Sequence, residues 1–367
     1  MLIALGAVIG LILIVGFLFI SFSPQFGGKP SKEQKREYVK SENYAEGKFG
    51  NIGGVKAEMS SGDMLRAIRG MFKTTPDARP NPPFNVHKLD SADVADYRSD
   101  TRIVWFGHST VLLQMDNKNI LIDPMLSEVP APHPWLGGKR FSENLPLELL
   151  EIPKIDAVVI SHDHYDHLDY PSIKELKERV GTFFVPLGVS AHLMEWDVPK
   201  EKIVELDWWD EYQLEELTFV STPSQHFSGR GLTDRDRTLW SSWIIQSNKE
   251  NIFFSGDSGY ADHFKEIGKK YGPFDLAMVE CGQYNKLWKE VHMFPEQTVQ
   301  AGIDLGATKV MPIHWGAFKL ALHSWDDPIT RAAIEAKELN VPLVVPEIGI
   351  PTPIHSTSPL KYWWEGH

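Results

Sequence analysis

Cysteine is almost absent from this 367-residue chain, which contains one, Cys281. A single cysteine excludes an intramolecular disulfide framework and any zinc site built from several thiolates. Basic residues are also in the minority, with 37 lysines and arginines against 49 aspartates and glutamates and a formal net charge of -12. General affinity for nucleic acid is therefore disfavoured, and we expect no nucleic-acid partner. The remaining composition, 42% hydrophobic, is that of a globular protein with a large core.

Long apolar runs are also lacking, except at the N-terminus. Residues 1–22 contain no charged side chain, which matches the ~20 apolar residues that a helix needs to cross a bilayer. A cleaved signal peptide would instead show a basic start, a shorter apolar stretch and small residues at the cleavage site. The sequence therefore predicts a transmembrane anchor over residues 1–24 and a single-pass membrane protein. Basic residues following the anchor predict a cytoplasmic catalytic domain; they are Lys29, Lys32, Lys35, Arg36 and Lys40.

Residues 25–99 form a polar extension that is interrupted by glycine and proline, and its segment TTPDARPNPPFNV, residues 74–86, is typical of irregular structure. Residues 64–73 differ, because their apolar side chains recur at helical spacing with basic residues between them. This pattern predicts either a helix lying in a membrane interface or a helix packed on the main domain. The apolar positions are Met64, Leu65, Ile68, Met71 and Phe72.

From residue 100 to residue 350 the sequence alternates between strand and helix patterns, and a short tail follows over residues 351–367. Strands are predicted over 102–115 and 119–124, joined by the turn sequence DNKN, and at the apolar run 157–161. Later strands are predicted within 217–222, 239–247, 251–256, 275–280 and 309–314, and helices over 170–180, 260–271 and 294–305. Strands followed by helices recur twice, which predicts two similar halves in one layered α/β domain.

The segment SHDHYDHLDY, residues 161–170, places three histidines and three aspartates directly after a predicted buried strand. Imidazole nitrogens and carboxylate oxygens are the ligands that Zn²⁺ accepts in catalytic sites with an open position. Further candidates follow other predicted strands: His226 in TPSQH, Asp257 in FSGDSGY and His314 in PIHWG. A single histidine in a loop is more often a structural residue. Their repeated occurrence at strand ends predicts a metal site at one edge of the sheets.

Several motifs of the chain resemble those of a known family. They are GHSTVLL, IDAVVISHDHYDHLDY, FVPLG, VELDWWDE, TPSQH, LWSSW, FSGDSGY, GPFDLA and IHWGAF, spread over residues 107–318. The chain resembles the metallo-β-lactamase superfamily, and within it the phospholipases D that hydrolyse N-acylphosphatidylethanolamine and their bacterial relatives. This resemblance implies an αββα sandwich that holds two Zn²⁺ ions at one edge of its paired sheets.

The resemblance also assigns the ligands. One zinc would be held by His162, His164 and His226, and the other by Asp166, His167 and His314, with Asp257 bridging both. Two divalent cations against two carboxylates and one hydroxide leave a net positive site, which suits an anionic phosphodiester. A zinc-bound hydroxide would attack phosphorus, because zinc lowers the pKa of bound water towards ~7.

Residues neighbouring the predicted ligands are also assigned roles. The histidine matching His292 lies beside the metals in the resembled family, so His292 could steady phosphoryl oxygens or protonate the leaving group; a helix-entry residue bonded to backbone is the alternative. Asp166, Asp257 and His292 are the predicted catalytic residues. Three further residues are candidates for supporting the ligands from behind: His108, Asp123 and Asp163. Asp123 could equally cap the metal loop.

The predicted function is hydrolysis of N-acylphosphatidylethanolamine-like lipids to phosphatidic acid and N-acylethanolamine. The expected partners are a phospholipid substrate and a membrane, and a homodimer is left open. A metal-dependent lactonase or esterase of the same fold is the main alternative, since a dizinc site serves both kinds of substrate. A membrane-tethered, inactive binding module is a weaker alternative, because all seven ligand positions are filled.

Overall fold

The computed structural model describes residues 2–56, 60–71 and 73–366. The helices are α1 (Leu2–Phe22), α2 (Lys32–Tyr38), α3 (Ser61–Met71), α4 (Ser91–Ala95), α5 (Tyr170–Leu176), α6 (Ser190–Glu195), α7 (His263–Tyr271), α8 (Pro295–Asp304) and α9 (Asp327–Leu339). The strands are β1 (Tyr44–Ala45), β2 (Lys48–Phe49), β3 (Arg102–Trp105), β4 (Val111–Met115), β5 (Lys118–Ile122), β6 (Ile155–Val159), β7 (Val180–Pro186), β8 (Ile203–Leu206), β9 (Glu211–Leu214), β10 (Leu217–Thr222), β11 (Ser242–Gln246), β12 (Asn251–Phe254), β13 (Leu276–Glu280), β14 (Val310–Ile313) and β15 (Thr352–Pro353).

The strands of the main domain form two mixed sheets. The first has the order β15-β3-β4-β5-β6-β7-β8, and the second has the order β14-β13-β12-β11-β10-β9. In the first sheet β3 to β5 pair antiparallel and β5 to β8 pair parallel. The second sheet repeats this, antiparallel from β9 to β12 and parallel from β12 to β14. The prediction of two similar halves is confirmed.

The two sheets pack face to face, with helices on their outer surfaces. Phe184 of β7 stacks on Phe219 of β10 with ring centroids 4.0 Å apart, in a core cluster that draws on both sheets. On the outside of the first sheet, Ile173 and Leu176 of α5 are buried against β6 and β7. On the outside of the second, Phe264 and Ile267 of α7 pack on β12 and β13, together with α8. The predicted αββα layering is therefore confirmed.

The predicted strand over residues 102–115 is two strands, β3 and β4, rather than one. Gly107 and His108 have φ angles of 84° and 57°, a left-handed backbone conformation that reverses the chain. The turn between β4 and β5 behaves as predicted: Asp116 and Asn117 have φ angles of 46° and 61°, as a two-residue hairpin requires.

The prediction of a membrane anchor is wrong. Within the described residues, no helix combines the length and the apolar character that spanning a bilayer demands. Met1, where the predicted anchor begins, lies outside these residues. The end of α1 contacts the main domain: the ring centroid of Phe19 lies 4.8 Å from that of His133, and Ser23 Oγ lies 3.3 Å from His133 Nε2. The predicted localisation, a single-pass membrane protein with its catalytic domain on the cytoplasmic side of the anchor, is therefore wrong as well.

The extension over residues 25–99 packs on the main domain. Tyr38 and Phe49 are buried in a cluster with Trp208 and Trp240. The predicted helix over 64–73 is α3, and Phe72 lies outside the described residues. Four of its predicted apolar side chains, at positions 64, 65, 68 and 71, are about half exposed, while Ala67 is buried. The same face of α3 borders the cavity described below.

Candidate metal centre

Every predicted ligand lies just beyond the carboxyl end of a strand at one edge of the sandwich. The loop after β6 carries residues 162–167 and ends where Asp169 caps α5, its side chain accepting a hydrogen bond from Ser172 N. His226 follows β10, Asp257 follows β12 and His314 follows β14. In the second sheet β10, β12 and β14 run in the same direction and end at the same edge. There the ligands that follow them meet the loop after β6.

The first group of potential ligands contains three histidines and one aspartate. His164 Nδ1 lies 2.9 Å from His162 Nε2 and 3.2 Å from His226 Nε2. Asp257 Oδ2 lies 3.9 Å from His162 Nε2 and 3.7 Å from His226 Nε2. One ligand atom from each of these four residues falls within 4.8 Å of the others, which is compact enough to surround one metal ion.

The second group lies directly beside the first. Asp166 Oδ2 is 3.1 Å from His314 Nε2 and 3.6 Å from His167 Nε2. His108 Nε2 also reaches this oxygen, at 2.9 Å, so the residue predicted to act from behind is itself a potential ligand. Together the four offer ligand atoms within 4.8 Å of one another.

Asp257 contacts both groups. Its Oδ1 lies 3.2 Å from His167 Nε2, and its Oδ2 lies 3.3 Å from His314 Nε2 as well as close to the first group. Among the described residues, His167 Nε2 and Asp257 Oδ1 are buried and have no hydrogen-bond partner. A shared cation would satisfy both atoms, because buried polar groups are otherwise costly without a partner. The donor set therefore fits metal ions, and Asp257 has the position expected of a bridge.

Hydrogen bonds behind the ligands fix their orientation. Asp123 Oδ2 accepts from His167 Nδ1 at 2.7 Å, while its Oδ1 accepts from Ser161 N at 2.7 Å. Asp123 thus both supports a ligand histidine and caps the loop, so its two predicted roles coexist. His226 Nδ1 donates to the carbonyl of Val291 at 3.0 Å. These contacts leave Nε2 of each ring to face the centre.

Asp163 points away from the ligand groups. Its carboxylate accepts from Gly229 N at 2.8 Å and from Thr238 Oγ1 at 2.9 Å, and lies 3.4 Å from His192 Nε2. Burial opposes ionisation of Asp163, but the neighbouring His192 outweighs it and lowers the pKa of Asp163. Asp163 therefore secures the loop from outside.

His314 adopts a constrained backbone conformation. Its φ is 67°, and its amide donates to the carbonyl of His108 at 3.1 Å, while His108 N donates to Trp315 O at 2.9 Å. A Cβ at position 282 would lie 1.5 Å from the carbonyl oxygen of His314. Gly282 is therefore required by close backbone approach.

A cavity of about 630 Å³ opens above the two groups, a size typical of small-molecule sites. Its polar side includes ligand residues together with His292, Gln283 and Arg235. Its apolar side is formed by Met64, Ala67, Ile68 and Met71 of α3, with Phe227, Trp288, Val291 and Leu320. The guanidinium carbon of Arg235 lies 4.2 Å from the ring centre of Phe227. Members of both ligand groups thus border a chamber that is lined by polar and by apolar side chains.

Comparison with known proteins identifies the fold family. A model described as the Beta-lactamase superfamily domain matches residues 118–315, more than half of the chain. The chain belongs to the metallo-β-lactamase superfamily. An uncharacterized protein of Mycobacterium tuberculosis is 39% identical to it over 336 residues, which cover 88% of this chain and 87% of that protein.

One further sequence relative and one solved structure are also similar to this chain. The N-acyl-phosphatidylethanolamine-hydrolyzing phospholipase D 1 of Caenorhabditis elegans is 32% identical over 249 residues, covering 64% of this chain and 69% of that protein. The crystal structure of isothiocyanate hydrolase from Delia radicum gut bacteria superposes with a TM-score of 0.54 at 19% identity, covering 68% of this chain and 98% of that one. The second likeness shows the fold alone. With its histidine and aspartate groups, the chain is a metal-dependent hydrolase of the metallo-β-lactamase fold.

Burial and neighbouring charges shift the pKa values of the ligand residues. Burial, together with the surrounding histidines, holds the pKa of His162 well below its ordinary value, so this imidazole is neutral and can act as a ligand. Burial opposes ionisation of Asp257, but His167 and His314 outweigh it and hold the pKa of Asp257 well below its usual range. Although burial disfavours its charged form, Asp257 and Asp166 raise the pKa of His314 to about 9. Neutral imidazoles and ionised carboxylates are the forms that bind metals, so His162 and Asp257 are in the binding form, whereas His314 must release a proton when a cation binds.

Two residues close to the ligand residues were not predicted from the sequence. Glu280, at the end of β13, is fully buried and its Oε1 accepts from His292 Nδ1 at 2.6 Å. The strand-end position that singled out the ligands applies to Glu280 too and could have found it. Asn51, in the extension, accepts from His226 N at 3.0 Å and donates to His226 O at 2.9 Å. No local signal marks Asn51, because its partner lies 175 residues away.

Proposed function

We propose that this chain is a dizinc phosphodiesterase of the phospholipase D type. It hydrolyses N-acylphosphatidylethanolamine-like lipids to phosphatidic acid and N-acylethanolamine. The observation that carries the proposal is the chamber whose lining combines members of two adjoining ligand groups, which share Asp257, with the apolar face of α3. An amphiphilic phosphodiester presents a matching arrangement, with an anionic centre joined to acyl chains.

The ligand sets suit zinc, because histidine nitrogens and carboxylate oxygens in a buried site are its preferred donors. His162, His164, His226 and Asp257 would hold one ion, and Asp166, His167, His314 and Asp257 the other. When bound, such a pair supplies Lewis-acid stabilisation of the phosphoryl oxygens and activation of water. Two ionised aspartates against two divalent cations leave a net positive site, which favours an anionic substrate over a neutral one.

The remaining polar groups of the chamber orient the substrate and move the proton. His292 borders the cavity with its Nδ1 bound to Glu280, so its Nε2 is available to protonate the departing ethanolamine oxygen. Arg235 provides a cationic side chain on the cavity wall, which suits a second anionic or carbonyl group of the lipid. The α3 face and Trp288 exclude water around the acyl chains.

The similarity to the C. elegans phospholipase D supports this choice of substrate class. The testing experiment is product analysis by mass spectrometry with purified, zinc-loaded protein and an N-acylphosphatidylethanolamine in ¹⁸O-water. Attack at phosphorus places the label on phosphatidic acid, whereas attack at carbon would place it on N-acylethanolamine. A protein that leaves such lipids intact but opens lactones or carboxylic esters would refute the phospholipase assignment and retain only the hydrolase.

A further inference from the structure

Glu280 is a buried ionisable residue that contacts His292, and the proposed chemistry has not yet given it a role of its own. It ends β13, its side chain is fully buried, and one of its carboxylate oxygens lies within 4.8 Å of ligand atoms of Asp257, His292 and His314. Oε1 accepts from His292 Nδ1 at 2.6 Å, and Oε2 accepts from Ser258 N at 2.9 Å. A buried carboxylate is costly unless it is bound in this way, so the contact with His292 is a defined feature of the fold.

The backbone of Glu280 is held as firmly as its side chain. Its amide donates to Ser255 Oγ at 2.9 Å, and its carbonyl accepts from Thr298 Oγ1 at 2.6 Å. Ser255 follows β12 and Thr298 belongs to α8. Three elements therefore fix the carboxylate, and a fixed acceptor can in turn fix the ring that it binds.

His292 is placed between this carboxylate and the chamber. Its ring is parallel to that of His314, at 7° with centroids 5.4 Å apart, and borders the cavity. Because an ionised carboxylate only accepts hydrogen bonds, contact with Glu280 keeps the proton on Nδ1. Nε2 is then the nitrogen of His292 that can hold and release a proton towards the substrate.

We propose that Glu280 is a positioning residue that orients His292 as the proton donor to the leaving oxygen. The inference rests on the proposed phosphodiester hydrolysis. In this step the phosphorus–oxygen bond to the ethanolamine unit breaks and its electron pair stays on that oxygen. The Nε2 proton of the imidazolium form of His292 moves to it, which leaves the neutral ring protonated at Nδ1. Water supplies the new oxygen on phosphorus and one proton, which restores His292.

Support of a metal ligand is the competing role for Glu280. Its Oε1 also lies 3.5 Å from His314 Nδ1, but His314 Nδ1 belongs to the buried atoms of the described chain that lack a hydrogen-bond partner. The 2.6 Å contact with His292 is the shorter and the properly oriented one. Glu280 and His292 also form, with Asp257 and His314, a group whose ligand atoms lie within 4.8 Å of one another. The zinc content of a Glu280 variant separates a metal-binding role from control of His292.

The test is Glu280→Gln, which keeps the shape but allows either tautomer of His292. Each variant is compared on an alkyl N-acylethanolamine phosphodiester and on a p-nitrophenyl phosphodiester, whose leaving group needs no proton. We expect kcat on the alkyl diester to fall about 10- to 100-fold with little change in KM, and kcat on the p-nitrophenyl diester to change less than about threefold. Zinc content, measured by elemental analysis, should stay that of the unmodified protein.

Two controls make the result specific. Glu205→Gln makes the same chemical change at a carboxylate that accepts from Gly188 N at 2.6 Å and Ser190 Oγ at 2.7 Å, and should leave both kcat values unchanged. In a His292→Ala background, Glu280→Gln should cost almost nothing more, since residues acting as a unit are not additive. A ¹⁵N-histidine NMR spectrum should also show His292 protonated at Nδ1 in the unmodified protein and a tautomer mixture in Glu280→Gln.

Three outcomes would overturn the inference: equal loss on both diesters, loss of zinc, or a full additional loss in the His292→Ala background. If the unmodified protein cleaves neither diester, the proposed function itself fails. If it cleaves both diesters and Glu280→Gln changes neither kcat value, only the inferred role of Glu280 fails. The two failures are thus distinguishable in one set of assays.

Discussion

Replacing Asp123 by Asn should weaken the metal centre without touching a ligand. Asp123 is fully buried and all its contacts are with donors: Ser161 N at 2.7 Å on Oδ1, and Ser161 Oγ at 2.6 Å and His167 Nδ1 at 2.7 Å on Oδ2. An Asn side chain has one oxygen and one NH₂ group. In either orientation the NH₂ group faces a donor that Asp123 now binds.

The size of the effect follows from these contacts. A buried donor left without an acceptor costs about 1–3 kcal/mol of unfolding free energy. If His167 loses its acceptor, the ring can rotate and change tautomer, and such changes behind a ligand cost about 10–100-fold in metal affinity. We therefore expect Asp123→Asn to lower both the unfolding free energy and the metal affinity. The loss of affinity should be confined to the ion bound by His167.

Zinc affinity is measured by competition with a chromophoric chelator, and unfolding free energy by urea titration of the metal-free protein. Asp169→Asn is the matched control, because Asp169 is a buried carboxylate that also accepts from serine groups, Ser127 Oγ at 2.7 Å and Ser172 N at 3.2 Å, both on Oδ2. Asn caps helices as well as Asp does, so this variant should keep its zinc affinity. Unchanged zinc affinity in Asp123→Asn, or an equal loss in Asp169→Asn, would refute the reasoning.

Three other predictions test the bridge, the extension and the acid sensitivity of the fold. Asp257→Ala should lose turnover and most bound metal in elemental analysis, since Asp257 contacts both ligand groups; retention of two ions would contradict the bridging role. Asn51→Ala should cost about 1–3 kcal/mol in urea unfolding by leaving the buried backbone groups of His226 unpaired, together with a measurable loss of zinc affinity. Burial lowers the pKa of His263 to about 3, so the folded state binds fewer protons than the unfolded one; stability should fall as pH drops below about 6.5, by up to about 1.4 kcal/mol per pH unit, and His263→Gln should flatten that slope.

The sequence was most informative where a local pattern and a strand end coincide. Segment 161–170 after an apolar run predicted ligands at the sheet edge, and the structure brings its His162, His164, Asp166 and His167 together with the three later candidates. Their convergence could be expected because parallel strands end at one edge. The repeated halves followed from the alternation of strands and helices.

Contacts between distant segments could not be predicted in the same way. Asn51 and His226 lie far apart in sequence, and nothing in the polar extension distinguishes Asn51 from its neighbours. The helix α9 was not predicted, and the apolar run at the N-terminus led to an anchor that the structure does not support. Periodicity reports which face of an element is apolar, but not what covers that face.

The order of the ligands along the chain has a consequence for biosynthesis. The first group is complete once Asp257 has been made, whereas the second requires His314, 57 residues later by difference of the two numbers. At about 5–20 residues per second, the ribosome needs about 3–11 s for that interval. A nascent chain that has folded as far as the loop after β12 therefore offers one complete cation site before the other exists. We expect the two ions to be acquired in sequence, and a pool short of metal would leave newly made chains half loaded.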